Sequence, residues 1–392
     1  MFKNKKVLAV IGVVVALIAI VVVLVISKRR PLPTTPTPPV AGNETNFPTT
    51  TEKSQQQSET KTDEKSGASL RKISENSVFD FWVSPDGKDV YYIGNDGKVF
   101  GGKDGPDLEI STSKLSALNR IGVSPSSSKI LAAFGDPRAP QWAVFGISDK
   151  FWSPLQGNII EAAWGKNDNQ VFALASNGGA ISIVDVDLSR SPFAQKTVFK
   201  NLGLQDVRMA YGPPEKLLFF EKPSGLYESR VFQFDLKSSL VNLVFAAQKG
   251  SYLNFSEDRN WLFKYSSLGG TAIFRNNLIL FIPEEADADA AVSFATLPSK
   301  CNALVKTLFC FVPNQRPSNI VMPDDYLMGR FRSTDSLHKI SLITGSDNVV
   351  FGSGESLLGS VDAKNVRVRE GRVYFINRYD SALYELDLKT GS

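Results

Sequence analysis

Phe81-Trp82-Val83-Ser84-Pro85-Asp86-Gly87-Lys88 runs, after Asp89, into Val90-Tyr91-Tyr92-Ile93. An apolar run stops at a residue set built for a reversal: proline presets φ, aspartate accepts hydrogen bonds from its own backbone, and glycine supplies a positive φ. A second apolar run of β-branched and aromatic residues follows, which is the pattern of a β-hairpin. The same grammar recurs in Ile121-Gly122-Val123-Ser124-Pro125 before Ile130-Leu131-Ala132-Ala133-Phe134, and in Ala163-Trp164-Gly165-Lys166-Asn167-Asp168 before Val171-Phe172-Ala173-Leu174. It continues in Ala210-Tyr211-Gly212-Pro213-Pro214 before Leu217-Leu218-Phe219-Phe220 and in Asn254-Phe255-Ser256 before Trp261-Leu262-Phe263. Two weaker units are centred on Cys301 to Val312 and Val366 to Ile376.

Successive units start roughly 40 to 48 residues apart, apart from a sixth unit that is longer by about twenty, and this is the blade period of a propeller. A four-stranded sheet alone exposes two apolar faces, and only neighbours stacked around an axis hide both. Third strands repeat as well: Ser336-Leu337-His338-Lys339-Ile340-Ser341-Leu342 parallels Ala382-Leu383-Tyr384-Glu385-Leu386-Asp387-Leu388. The last unit lacks a fourth, outer strand, and Leu70-Arg71-Lys72-Ile73-Ser74, ahead of the first unit, is available to supply it. The expected fold is an all-β propeller over residues 70–392, seven-bladed by this count, with six or eight blades as the alternatives.

The first 69 residues read differently. Val7 to Ile26 is twenty residues without a polar side chain, enough at 1.5 Å per residue to cross about 30 Å of hydrocarbon. No small-x-small cleavage site follows in Ser27-Lys28-Arg29-Arg30-Pro31, so an uncleaved transmembrane helix is expected rather than a signal peptide. Lys3, Lys5 and Lys6 on one side nearly cancel Lys28, Arg29 and Arg30 on the other, so charge does not orient the segment. A short head, 1–6, is placed in the cytoplasm because an export-like stalk and a cysteine pair follow. Ala9, Gly12, Ala16 and Ala19 share one helix face and could support a weak homodimer. Residues 27–69, rich in Pro, Thr and Ser, cannot bury enough surface to order and are expected to be a disordered stalk.

Among 392 residues the net charge is +4 and interspersed, which argues against a nucleic-acid partner. The two cysteines, Cys301 and Cys310, flank a hairpin turn near Val305 and Lys306. They can meet as a cross-strand disulfide or stay as two buried thiols. His338 is the sole histidine, so any Ser-His or Cys-His mechanism would need it. It occupies the strand slot of Tyr384 and Phe232 and is read as a packing residue. Glu284, Glu285, Asp287 and Asp289 lack calcium-loop spacing and read as a solvated insertion. Asp324, Asp325 and Tyr326, after Pro323 in the long sixth unit, are the candidate binding loop, with turn capping as the plainer alternative. No catalytic, metal or cofactor set is recognised, and no cofactor is expected.

The repeat turns resemble those of WD-repeat-like (TolB-type) propellers, with Ser84-Pro85-Asp86-Gly87-Lys88 matching the signature in full. The whole chain is similar to a family of membrane-anchored β-propeller proteins of patescibacterial (candidate-phylum) bacteria. That likeness rests on Leu297-Pro298-Ser299-Lys300-Cys301, Leu308-Phe309-Cys310-Phe311-Val312-Pro313, Pro323-Asp324-Asp325-Tyr326 and Phe375-Ile376-Asn377. The resemblance implies an architecture and carries no activity. The expectation is therefore a non-enzymatic binding or scaffolding module, single-pass in the cell membrane, with the lipid bilayer as one partner and a protein or glycan at the cell surface as the other. The alternative is a propeller hydrolase, of glycosidase or lactonase type, using channel carboxylates.

Overall fold

The computed structural model describes residues 69–102, 107–212, 215–256, 261–267, 296–315, 319–352 and 359–388, with backbone alone at 270–275 and 290–291. The described chain forms antiparallel four-stranded sheets in sequence order. The first sheet runs from Val78 to Glu109, the second from Leu118 to Pro154, the third from Ile159 to Phe199 and the fourth from Val207 to Lys249. A fifth sheet spans Tyr252–Ala291 and a sixth Cys301–Phe351. The closing sheet takes three strands from Ala363–Asp387 and its outer strand, Ser69–Lys72, from the front of the domain.

Side-chain alternation explains the packing. In the strand Lys129–Phe134, Ile130 and Ala132 join Trp82, Ile93 and Val99 of the first sheet. Their neighbours Leu131 and Ala133 point to the other face and join Ile159, Val171 and Val184 of the third sheet. Each strand thus feeds two interfaces through its period of two. The pattern carries round: Phe172 and Leu174 meet Leu217 and Phe219, and Phe309 and Phe311 meet Val373 and Phe375. Phe81 and Tyr92 of the first sheet meet Tyr374 and Leu383 of the closing sheet, which completes the circle. The described fold is a β-propeller.

The expected fold class needs correcting in two places. Six of the sheets are complete blades with described side chains; in the fifth, only the two inner strands, Tyr252–Phe255 and Trp261–Ser266, have them, so the count the structure supports in full is six. The expected transmembrane helix over 7–26 and the disordered linker lie outside the described residues. Among the described residues no helix is long and apolar enough to cross a membrane. The acidic stretch Glu284 to Asp289 also lies outside them.

Ring closure depends on the outer strand. Ser69, Leu70, Arg71 and Lys72 pair with Asp387, Leu386, Glu385 and Tyr384. The next residues extend the seam, with Leu383 O accepting from Ile73 N–H at 2.8 Å and Leu383 N–H donating to Ser74 Oγ at 2.9 Å. Pairing an N-terminal strand with the last hairpin covers the edge of Ala382–Asp387 and leaves only the short strand Ser69–Lys72 as the outer edge.

Cys301 and Cys310 are directly opposed across their hairpin, with Cα atoms 4.2 Å apart, and form a disulfide. Both are buried between the fifth and sixth sheets. The closed loop is short, so the chain-entropy contribution is about 2–3 kcal/mol. Cys301→Ala/Cys310→Ala should therefore lower urea-unfolding stability by about that amount without changing the far-ultraviolet circular dichroism; an unchanged unfolding midpoint would count against the bond as a stabiliser.

Lys264, on the inner half of the fifth sheet, places its ammonium 4.6 Å from the centre of the Phe245 ring and donates to Gln248 Oε1 at 2.5 Å. Burial lowers its pKa to about 8. Between that value and the ordinary lysine range the unfolded chain holds the proton and the folded chain does not, so stability rises with pH across this window. Lys264→Met should flatten that rise in chemical-denaturation midpoints between about pH 8 and 10.5. A rise identical in both proteins would refute the assignment.

Candidate functional site

Strand register places a set of polar side chains around the propeller axis. In each sheet the inner strand can be aligned by the residue that pairs with the first core residue of the second strand: Val83 with Val90, Val123 with Ile130, Trp164 with Val171, Tyr211 with Leu217. The remaining pairs are Phe255 with Leu262, Ala303 with Leu308 and Val368 with Val373. Three residues back from these positions stand Asp80, Arg120, Glu161, Arg208, Tyr252, Lys300 and Asn365. An otherwise apolar strand grammar thus carries a polar or ionisable residue at a similar height in each sheet: within the inner strand in the first five, just before it at Lys300 in the sixth, and at a bulge at Asn365 in the closing sheet.

Neighbours within this tier interact. Arg120 donates to Glu161 through a short hydrogen bond, and its guanidinium lies 5.2 Å from the Trp142 ring centre. Burial raises the Glu161 carboxyl above the ordinary carboxylate range even with Arg120 against it. Asn365 donates to Asp80 at 3.0 Å, and Arg367 approaches the same oxygen at 4.0 Å. Arg208 is different: burial, followed by repulsion from Arg120, lowers its pKa, and Glu161 only partly offsets this.

Arg120, Arg208 and Tyr252 of this tier line a central cavity of about 650 Å³. It reaches from the Ser124-Pro125 turn at one end to Lys222, Pro223 and Leu327 at the other, with Trp164, Tyr211 and Tyr252 on its walls. Over the inner strands the cations are Arg120, Arg208, Lys364, Arg367 and Arg369, against the acids Asp80 and Glu161. Of the charged residues, Arg120, Arg208, Lys222, Arg367 and Arg369 line the cavity against Glu221, so the channel is electropositive, although the chain as a whole carries only +4. Low-dielectric walls strengthen that field.

The candidate loop Asp324, Asp325 and Tyr326 lies at one mouth of this channel, where a single helical turn, α1 (Asp324–Leu327), sits in the long connection between Thr307–Pro313 and Asp335–Ser341. Its polar side chains turn inward. Asp324 accepts from Ser224 Oγ at 3.0 Å and from the Gly225 amide, which ties the connection to a loop of the fourth sheet. Gly225 has no side chain because a Cβ there would fall 2.5 Å from the Met322 carbonyl oxygen. Asp325 accepts from the Val321 amide at 2.7 Å. Tyr326 is buried, donates to the Ala363 carbonyl at 3.2 Å, and lies 3.8 Å under the Arg378 guanidinium. The connection is a strap across the sixth, fifth and closing sheets to the fourth. What it presents outward is Leu327 and Met328, next to the exposed Leu226 and Tyr227 of the fourth sheet's loop.

Beneath the strap lies a buried charge network that the sequence did not reveal. Lys300 Nζ, 1% exposed, donates to Ser333 Oγ at 3.0 Å, to Asp335 at 2.5 Å and to Asp362 at 2.6 Å. Asp362 also accepts from Arg378 at 2.9 Å. His338 is partly buried in the strand Asp335–Ser341 and hydrogen-bonded to Asp347 of the neighbouring strand at 2.9 Å. Among the described residues no cluster of three His, Cys, Asp or Glu side chains could hold a metal.

No protein-family profile matches this chain, and no curated protein does. Solved structures do. The Myceliophteria thermophila Swd1 β-propeller domain superposes at a TM-score of 0.51 with 10% identity, covering 82% of this chain and 100% of that one. An oligogalacturonate lyase from Vibrio parahaemolyticus gives 0.54 with 10% identity, over 81% and 90% of the two chains. The tricorn protease gives 0.50 with 11% identity over 81% of this chain, which spans about a third (34%) of that one. At these identities the likeness establishes a β-propeller fold and nothing finer; the WD-repeat-like, TolB-type and patescibacterial resemblance gains no sequence family from it.

Removing one partner from a buried ion network leaves the others uncompensated, at about 3–5 kcal/mol. Lys300→Met should lose stability of this order in equilibrium unfolding and increase proteolytic cleavage within 314–334. A loss below about 1 kcal/mol would mean the network contributes little to holding the strap.

Proposed function

We propose that this chain is a binding or scaffolding propeller held at the cell membrane through its apolar residues 7–26, with the ring outside the cell taking a protein or glycan at the strapped end of its channel. The observation that carries this reading is the strap itself: Asp324, Asp325 and Tyr326 are consumed in anchoring, and the result is an outward group of Leu226, Tyr227, Leu327 and Met328 beside an electropositive cavity. Exposed apolar side chains grouped within a polar rim mark interaction sites, whereas singly scattered ones do not. The channel carboxylates Glu161 and Asp80 are engaged by Arg120, Asn365 and Arg367, an arrangement better suited to shaping a field than to acting as an acid and base pair. The fold itself is shared by binding propellers and by enzymes, so it favours neither.

The test is made on cells producing the full chain with a photo-crosslinking residue at Tyr227 or Met328. The reading expects external protease to reach the propeller on intact cells, deletion of 7–26 to release it, and one crosslinked product to disappear when Leu327→Asp is added. Protection from external protease would overturn the placement, and crosslinks unaffected by Leu327→Asp would overturn the docking end.

A further inference from the structure

The channel's own chemistry goes further. Resting on the reading of the strapped end as a binding site, we propose that the central cavity takes a small oligoanion, a molecule carrying two or more carboxylate or phosphate groups, with Arg208 as its principal anchor.

Three observations converge. The charged residues lining the cavity are Arg120, Arg208, Lys222, Arg367 and Arg369 against Glu221, so cations outnumber acids on its walls. Arg208 stands at the same height as Glu161 on the adjacent sheet, but the hydrogen bond of that carboxylate goes to Arg120 on the opposite side. Among the described residues no carboxylate lies within ion-pairing distance of Arg208. Placing a guanidinium in a partly desolvated wall costs stability unless an anion meets it. The cavity, at about 650 Å³, admits a small molecule rather than a folded chain.

The residue types suit an oligoanion. Guanidinium presents paired N–H donors that match carboxylate and phosphate oxygens two at a time. Arg208 and Arg120 flank Glu161 at one height, and Arg367 and Arg369 also line the cavity, so a ligand with a single charge would use one contact and a multiply charged one several. Tyr252 and Trp164 supply the apolar surface that excludes water from those contacts.

Titration calorimetry on the full-length protein in detergent, with citrate, inorganic pyrophosphate and uncharged glycerol as probes, tests this. Citrate or pyrophosphate should bind, more weakly as salt rises, and glycerol should not; which of the two binds more tightly separates a carboxylate ligand from a phosphate one. Arg208→Gln should weaken the binding at least tenfold and Arg208→Lys less. Arg190→Gln, at an exposed arginine paired with Asp187 away from the cavity, should leave it unchanged. Because Arg208 carries a burial penalty, Arg208→Gln should also melt no lower than wild type without ligand, which separates anchoring from a structural role. Absence of binding by both anions at millimolar concentration, or equal binding by wild type and Arg208→Gln, would overturn the proposal. Loss of the channel site with the Tyr227 and Met328 crosslinks intact would leave the docking end standing, so the two readings fail separately.

Discussion

The structure depends on sheet faces meeting across the gaps between blades. Every strand of the type Lys129–Phe134 has both sets of alternating side chains buried, one set against each neighbour, and no single sheet can satisfy both. Apolar surface removed from water contributes about 25 cal/mol per Å², so large residues at these seams weigh most. Trp82, Phe145, Phe219, Phe311 and Tyr374 are all fully buried there. Rigidity of the channel follows, because the inner strands cannot shift without opening a seam on either side.

On that rigid ring the polar residues are placed by register rather than by local sequence. A similar height in each sheet collects Asp80, Arg120, Glu161, Arg208, Tyr252, Lys300 and Asn365, and their fates diverge with their neighbours. Arg120 and Glu161 pair within the tier. Lys300 turns outward between the sixth and closing sheets and finds two aspartates in a dry site. The strap's rigidity comes from that second arrangement, and the field in the channel comes from the residues that remain.

Much of the fold was legible because it is written in short-range terms. Ser84-Pro85-Asp86-Gly87 announces a hairpin through the stereochemistry of its own residues, and the missing outer strand of the last unit pointed to the segment around Leu70. The opposed cysteines were visible from hairpin symmetry, although only the structure decides between bond and thiols. The site was far less legible. Asp324, Asp325 and Tyr326 looked like binding residues because they are polar and lie in an insertion, yet what uses them is Ser224, Gly225, Ala363 and Arg378, distant in sequence. Arg208 gave no local signal, since it sits in an ordinary strand context, and Lys300 lay in a stretch quoted only for its likeness to a family; both become conspicuous only when units from different repeats are superposed. The partner of His338 was hidden for the same reason: Asp347 lies on the next strand.

The outer strand Ser69–Lys72 has a mechanical meaning. Only four residue pairs fasten it to Tyr384–Asp387, and in sequence it follows the apolar stretch 7–26 and the Pro-rich residues after it. Any tension transmitted along the chain from that side arrives first at this seam, not at the interior of a blade. A load large enough to peel it would unlatch the circle at one defined place, while the other sheets kept the hairpin contacts they make within themselves.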